Sequence, residues 1–227
     1  MHAVVLLSGG QDSTTCLAWA VKCWGSDQTV ALSFDYGQRH SRELEAARKI
    51  ADHFRVSHYI SRVSLPYQSA MTDSGQIITE GGDKELPSTF LPGRNAVFLS
   101  VAGGLAKTLG AGHIVTGICQ TDYSGYPDCR EDFRESMEKA LKKAVDFEDL
   151  QIHAPLMWLT KAQTVSMARS LGCLDALALS HTCYEGVSPA CGVCPACILR
   201  LRGFAEAGIP DPLSYKKGRP LYAPTTK

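Results

Sequence analysis

The chain has 227 residues, 44% of them hydrophobic, and its 23 basic residues balance 23 acidic ones. That length accommodates one sizeable α/β domain with an appendage, and a net charge of zero argues against a surface that coats a polyanion, so nucleic acid is not an expected partner. No apolar run approaches the roughly 20 residues that span a bilayer, and the pattern puts a core strand from His2 where a signal peptide would lie; a cytoplasmic protein with no membrane partner is expected.

HAVVLL, from His2, is a short run rich in branched apolar side chains, as a strand buried on both faces would be. Leu17, Val21 and Trp24 then recur at helical spacing, so the segment reads strand, turn, helix. The turn is SGGQDS, residues 8–13. Such a turn points free backbone N–H groups and the positive end of a helix dipole at whatever lies above it, which is a site for phosphate. A Walker A loop would need GxxxxGK[ST], and no lysine precedes Lys22. Phosphate is held here in another way.

TVALSF (29–34) reads as a second strand with DYGQRH as its exit loop, and Leu44, Ala47, Ile50 and Phe54 carry the next helix. RVSHYIS (55–61) is a third strand. Residues 64–92 hold prolines and glycines with little periodicity, too long for a plain connection, and are expected to form a lid, a binding loop or an interface segment. NAVFLSVAGGLAKTLG (95–110) is apolar nearly all round, which marks a buried helix. HIVTG (113–117) is a fourth strand, and Phe133, Met137, Leu141 and Val145 stripe one face of a further helix. This alternation implies a parallel sheet with right-handed crossovers and ligands at the carboxyl ends of its strands. In APLMWLTKAQT (154–164), Thr160 and Gln163 form a capping box that puts Lys161 in the first turn of a helix. A lysine there opposes the helix dipole by roughly 0.3–1 kcal/mol, a placement best explained if it meets an anion.

Nine cysteines are unevenly placed, and four of them, Cys183, Cys191, Cys194 and Cys197, fall in HTCYEGVSPACGVCPACILR. Two CxxC steps share a middle residue, and Cys183 can close a four-thiolate tetrahedral site from the other side of the loop. Zinc and an iron–sulfur cluster both use such ligands. A closed site leaves no open coordination position, so its role would be structural.

SGGQDS matches the SGGxDS signature of the ATP pyrophosphatases, or PP-loop enzymes, and PLMWLTKAQT resembles their lysine-bearing motif. Within that group SFDYGQRH, FLPGRNAVFLS, TDYSGYPDCR and CGVCPAC together resemble the 7-cyano-7-deazaguanine synthases of queuosine precursor biosynthesis, from Ser8 to Cys197. The resemblance implies a parallel α/β sheet flanked by helices, Rossmann-like and akin to the adenine nucleotide alpha hydrolases. It divides the chain into a PP-loop domain over residues 1–180 and a zinc-binding segment over 181–227 packed on it. ATP would lie against Ser8, Gly9, Gly10, Gln11, Asp12, Ser13 and Asp35, with Mg²⁺. The loop would clamp the β,γ unit as a departing pyrophosphate and leave the α phosphorus open. Arg94 and Lys161 would neutralise charge on the leaving group, which makes these two, with Asp12, the candidate catalytic residues. Asp12 either faces Mg²⁺ or turns back to cap its helix.

By the same resemblance the substrate is 7-carboxy-7-deazaguanine, and ammonia turns its acyl adenylate into an amide that a second ATP activates for loss of oxygen as the nitrile. Asp122, Tyr123, Tyr126, Asp128 and Arg130 are the candidate base-recognising residues, since a deazaguanine offers a flat face for rings and N–H groups for carboxylates. A plain turn on Gly125 and Pro127, with Asp128 capping the next helix, is the alternative. Cys119 and Cys129 flank this loop and are expected to be packing residues. The family implies zinc at the four cysteines and a homodimer. The rivals are a tRNA sulfur transferase, which the balanced charge disfavours, an ammonia-dependent amide synthetase, and a nucleotide sensor without turnover. No glutamine amidotransferase domain fits this length, so ammonia would come free or from a partner.

Overall fold

The computed structural model describes residues 1–38, 41–73, 75–79, 86–121 and 125–216. Five strands form one parallel sheet in the order β3-β2-β1-β4-β5: β1 (Ala3–Leu6), β2 (Thr29–Asp35), β3 (Ser57–Arg62), β4 (His113–Val115) and β5 (Gln151–His153). β1 lies in the middle, with Val4 level with Val30 on one side and Ile114 on the other. The chain thus lays β2 and β3 on one side of β1 and β4 and β5 on the other, which creates the crevice of a doubly wound sheet above its carboxyl end.

Helices α1 (Gln11–Trp24), α2 (Arg42–Phe54), α3 (Arg94–Leu109), α4 (Glu131–Ala144), α5 (Lys161–Ser170), α6 (Leu174–Ala178) and α7 (Pro195–Glu206) flank the sheet. One core lies between the sheet and α1 and α2, around Val5, Leu7, Leu17, Ile50 and Leu156. Another lies on the opposite face, around Val4, Leu32, Leu99, Ile114 and Leu141 from β1, β2, α3, β4 and α4. A third joins Ala18 of α1 and Val165 of α5 to Phe204 of α7, so the cysteine-bearing segment shares a core with the sheet domain. No helix among the described residues is long and apolar enough to cross a membrane.

The structure corrects the expectation for α3. Only Leu99, Ala102, Gly103 and Ala106 are buried, while Ser100, Gly104, Lys107 and Thr108 are exposed. The helix is apolar on more than its core face, yet the sheet covers one side of it. The third strand starts two residues later than expected, at Ser57, because Arg55 takes up a left-handed conformation that ends α2. The fifth strand lies in a stretch that sequence periodicity leaves unassigned.

Candidate active site

Loops from the carboxyl ends of β1, β2 and β4 meet in a cleft of about 370 Å³, lined by Ser8, Asp12, Ser13, Tyr36, Arg94 and Lys161 among others. The floor is the loop between β1 and α1. Gly9 has φ +89, and a Cβ there would lie 2.3 Å from the backbone oxygen of Glu43 and 2.9 Å from the nitrogen of Ala47. Backbone cannot retreat as a flexible side chain can, so only glycine lets α2 press against the loop. From the other side, the His181 N–H donates to the Gly9 oxygen at 2.8 Å. Gly10 precedes α1 in extended conformation and no side chain caps the helix. The first-turn donors are therefore available to an anion, beside the paired hydroxyls of Ser8 and Ser13 at 3.0 Å.

Lys161 is set by its own helix start. Thr160 Oγ1 accepts from the Gln163 N–H and Gln163 Oε1 accepts from the Thr160 N–H at 2.8 Å, which is the capping box read from the sequence. This fixes the direction in which Lys161 leaves the backbone. Its ammonium reaches Asp12 Oδ1 at 3.0 Å and Oδ2 at 2.9 Å, and its side chain is only 10% exposed. Asp12 therefore has a cation as its partner and does not cap α1.

Arg94 opens α3 and lies over the Tyr36 ring, 5.9 Å from its centroid. On the far wall, Tyr126 shares a hydrogen bond with Thr89 and tilts against Phe90 at 5.3 Å between ring centroids. The long segment before α3 thus shapes this wall. Phe34 and Phe98 stack at 4.0 Å on the cleft's inner side.

Other expected site residues stand elsewhere. Gly9 and Gly10 belong to the loop itself and Gln11 opens α1, all three outside the lining, Gln11 being buried with its Nε2 unpaired among the described residues. Asp35 ends β2, faces Arg62 at 3.7 Å and is outside the lining. Asp128 is buried beside the cleft, where its Oδ2 accepts the Asn95 N–H at 3.1 Å and its backbone oxygen accepts from the Asn95 side chain. The capping alternative is corrected accordingly: Asp128 caps α3, the preceding helix, because Gly93 at that start has no side chain to do so. Arg130 is exposed at the start of α4. Asp122 and Tyr123 lie outside the described residues.

Sequence reasoning passed over three lining residues. Tyr36 sits within the SFDYGQRH motif, whereas Glu43 reads as an ordinary first-turn acid and Tyr184 as a neighbour of a metal ligand. Burial pushes the Glu43 carboxyl up to about 7 against the opposing pull of Arg94. Cys119 and Cys129 do line the cleft. Burial and then Asp128 push the Cys129 thiol up to about 12, so it stays protonated and is no nucleophile.

The four cysteines converge below this wall. Their sulfurs all lie within 4.8 Å of one another and all four residues are buried. Cys191 and Cys197 Sγ are 3.9 Å apart, close to the about 3.8 Å edge of a tetrahedron with 2.3 Å metal–sulfur bonds. The backbone N–H groups of Val193 and Cys194 donate to Cys191 Sγ at 3.4 and 3.3 Å, and that of Cys191 to Cys183 Sγ at 3.4 Å. Such donors stabilise thiolate. With protons in place of a cation, hydrogen bonds from Cys194 and Cys197 pull the Cys183 thiol down, while donation to Cys183 pushes Cys194 up to about 11. Four ionised sulfurs at this distance require a cation, and the donor set fits a structural metal, zinc included.

Residues 2–208 match the family model of queuosine biosynthesis protein QueC. The chain is 52% identical to the 7-cyano-7-deazaguanine synthase of Chromobacterium violaceum over 93% of this chain and 92% of that one, and 54% identical to that of Laribacter hongkongensis over 93% of each. It is 47% identical to the synthase of Lysinibacillus sphaericus over 95% of this chain and 97% of that one. Among solved structures it resembles an NMN synthetase from Francisella tularensis with a TM-score of 0.47 and 16% identity, covering 92% of this chain and 78% of that one. The chain belongs to the QueC family.

Proposed function

We propose, from this membership and from the cleft, that the chain is a 7-cyano-7-deazaguanine synthase: an ATP-dependent ligase that converts 7-carboxy-7-deazaguanine and ammonia to the nitrile, in queuosine biosynthesis. The observation that carries the reading is the meeting of an uncapped helix start, the Ser8–Ser13 loop, Lys161 and Arg94 in one cleft with no Walker lysine. That arrangement suits pyrophosphate as a leaving group.

A carboxylate is a poor acceptor for ammonia because its leaving group would be oxide; adenylation replaces oxide with AMP. Ser8, Ser13 and the first-turn N–H groups of α1 hold the departing pyrophosphate, and Lys161 and Arg94 offset its charge where little water competes. Lys161 is then shared between Asp12 and phosphate. Mg²⁺ would arrive on the nucleotide, with Asp12 as the carboxylate beside the loop, and would neutralise phosphate charge. Tyr126, with Asp122, Tyr123, Asp128 and Arg130, belongs to the base-recognising side of the reading. No nucleophilic side chain takes part, so rate comes from positioning and electrostatics. Zinc at the four cysteines, a homodimer, a cytoplasmic location and ammonia as the nitrogen source complete the reading.

The test is where ATP is cut. Purified protein given ATP, ammonium and 7-carboxy-7-deazaguanine should release AMP and pyrophosphate, show the amide before the nitrile, and spend a separate ATP on each activation. Synthetic amide should need ATP but no ammonium. ADP as the product, or nitrile from the amide without nucleotide, would refute the mechanism.

A further inference from the structure

Glu43 lies in the first turn of α2 and contributes to the cleft lining. An acid at that position usually complements the helix dipole and stays ionised. Here burial outweighs the dipole and shifts its protonation toward neutrality, near 7. The groups that act on it come from three places: Arg94 opens α3, Tyr36 follows β2 and Tyr184 comes from the cysteine segment. Asp12 and Lys161 line the same cleft. Lys161 holds Asp12, and the Arg94 guanidinium lies over the Tyr36 ring. Among the described residues, none hydrogen-bonds to the Glu43 carboxylate and no cation comes within ion-pair distance; Arg94 acts on it only through its longer-range charge.

A partly buried carboxylate without a partner among the described residues is stabilised when a cation or a proton reaches it. The proposed reaction brings two cations into this cleft. Mg²⁺ demands octahedral oxygen ligands, keeps its waters and would arrive on the nucleotide beside Asp12; among the lining residues Glu43 is the other carboxylate, so the second cation falls to it. Ammonium is that cation, and it must lose a proton before its nitrogen can attack.

We propose that Glu43 is the catalytic base of the amidation, receiving ammonium in the cleft and taking its proton. This rests on the synthase reading above. One N–H bond of ammonium breaks and its proton goes to a Glu43 oxygen. The freed nitrogen pair forms the C–N bond to the acyl carbon, and the C–O bond to AMP breaks with its electron pair leaving on the phosphate. The nitrogen then sheds its surplus proton to water, leaving the amide.

The experiment separates adenylation from amidation in the full-length, metal-loaded protein. Adenylation is read as pyrophosphate–ATP exchange that depends on 7-carboxy-7-deazaguanine without ammonium; amidation is read as kcat/KM for ammonium. Glu43→Gln should keep exchange within about threefold while kcat/KM for ammonium falls about 10²–10³-fold at pH 7. The loss should shrink as pH rises and free ammonia accumulates, and Glu43→Asp should restore part of the rate. Equal losses in exchange and amidation, or a raised Mg²⁺ requirement, would make Glu43 a nucleotide or metal ligand and overturn the proposal. An unchanged kcat/KM for ammonium would also overturn it. Wild-type protein without exchange would instead remove the synthase reading, a result distinct from failure of the variant alone.

Discussion

Lys161 Nζ lies 3.0 Å and 2.9 Å from the two carboxylate oxygens of Asp12, although 149 positions separate the residues in the chain. Each residue stands in the first turn of its helix, so the positive ends of α1 and α5 meet at this pair. A cation placed between two positive helix ends is stabilised only by anions. Asp12 is one, and the cleft above the loop accommodates another.

Lys161→Ala should therefore lower kcat by about 10²–10³-fold, the scale of removing one preorganised group that stabilises developing charge. The metal content and the unfolding midpoint should stay near wild type. Combining it with Asp12→Ala should give a non-additive result, with a coupling of about 0.5–3 kcal/mol for residues in direct contact. Full activity in Lys161→Ala would return the lysine to a structural pairing.

Gly203 of α7 is the second handle on the same lysine. A Cβ at Gly203 would come within 2.4 Å of Lys161 Cγ, 3.0 Å of its Cβ and 3.2 Å of its backbone carbon. The backbone atom cannot rotate away, so Gly203→Ala must push α5 and α7 apart or tilt Lys161 away from Asp12. We expect a kcat loss accompanied by about 1–3 kcal/mol of destabilisation from overpacking. Gly104→Ala on α3 is the control, since its Cβ would meet nothing within 4 Å; helix propensity predicts a gain of about 0.5–1 kcal/mol in thermal unfolding.

Elemental analysis should find one zinc bound by Cys183, Cys191, Cys194 and Cys197, and iron with labile sulfide would overturn that assignment. Cys197→Ser should lose the metal. It should also lower kcat, because Cys197 and Gly203 share α7. Proteolysis should then cut first around residues 183–197, where the metal would hold the chain.

His113 Nδ1 and His153 Nε2 are 3.1 Å apart, and the Trp24 ring stacks on His113 with centroids at 4.7 Å. Burial lowers both pKa values, reinforced by His2 for His113 and by His113 for His153. The folded values thus lie below the unfolded one near 6.5. On acidification the unfolded chain binds protons first, so the pair's contribution is complete above about pH 6.5 and is lost as pH falls through the folded values. Thermal unfolding at pH 7.5 and 5.5 checks this: His153→Gln, which cannot titrate, should lose less stability on acidification than wild type.

Much of this was legible in the chain. Branched runs marked β1, β2 and β4, and the 3.6-residue recurrence of Leu44, Ala47 and Ile50 marked α2, because burial on one face leaves that trace in sequence. The cysteine spacing was equally plain, since one ion needs its ligands near each other. β5 was not, because Gln151–His153 is too short for any alternation to register. Glu43 was missed for a different reason: a first-turn acid is common, and only the fold shows that this one shares a cleft with Arg94, Tyr36 and Tyr184. Asp128 reached back to α3 instead of forward to α4, a tertiary choice that no local pattern encodes.

The position of Gly203 has a consequence for synthesis of the chain. The phosphate loop leaves the ribosome early, with Lys161 well behind it, and the surface that orients Lys161 belongs to α7, whose first turn follows the Cys194 ligand and contains Cys197. At 3.6 residues per turn, Cys197 and Gly203 are within two turns of each other. A nascent chain stopped before α7 would therefore carry a nucleotide-holding loop with an unsteadied lysine. If the four cysteines hold a metal as proposed, pyrophosphate release should begin only when α7 has folded around it, so that incomplete chains bind ATP without consuming it.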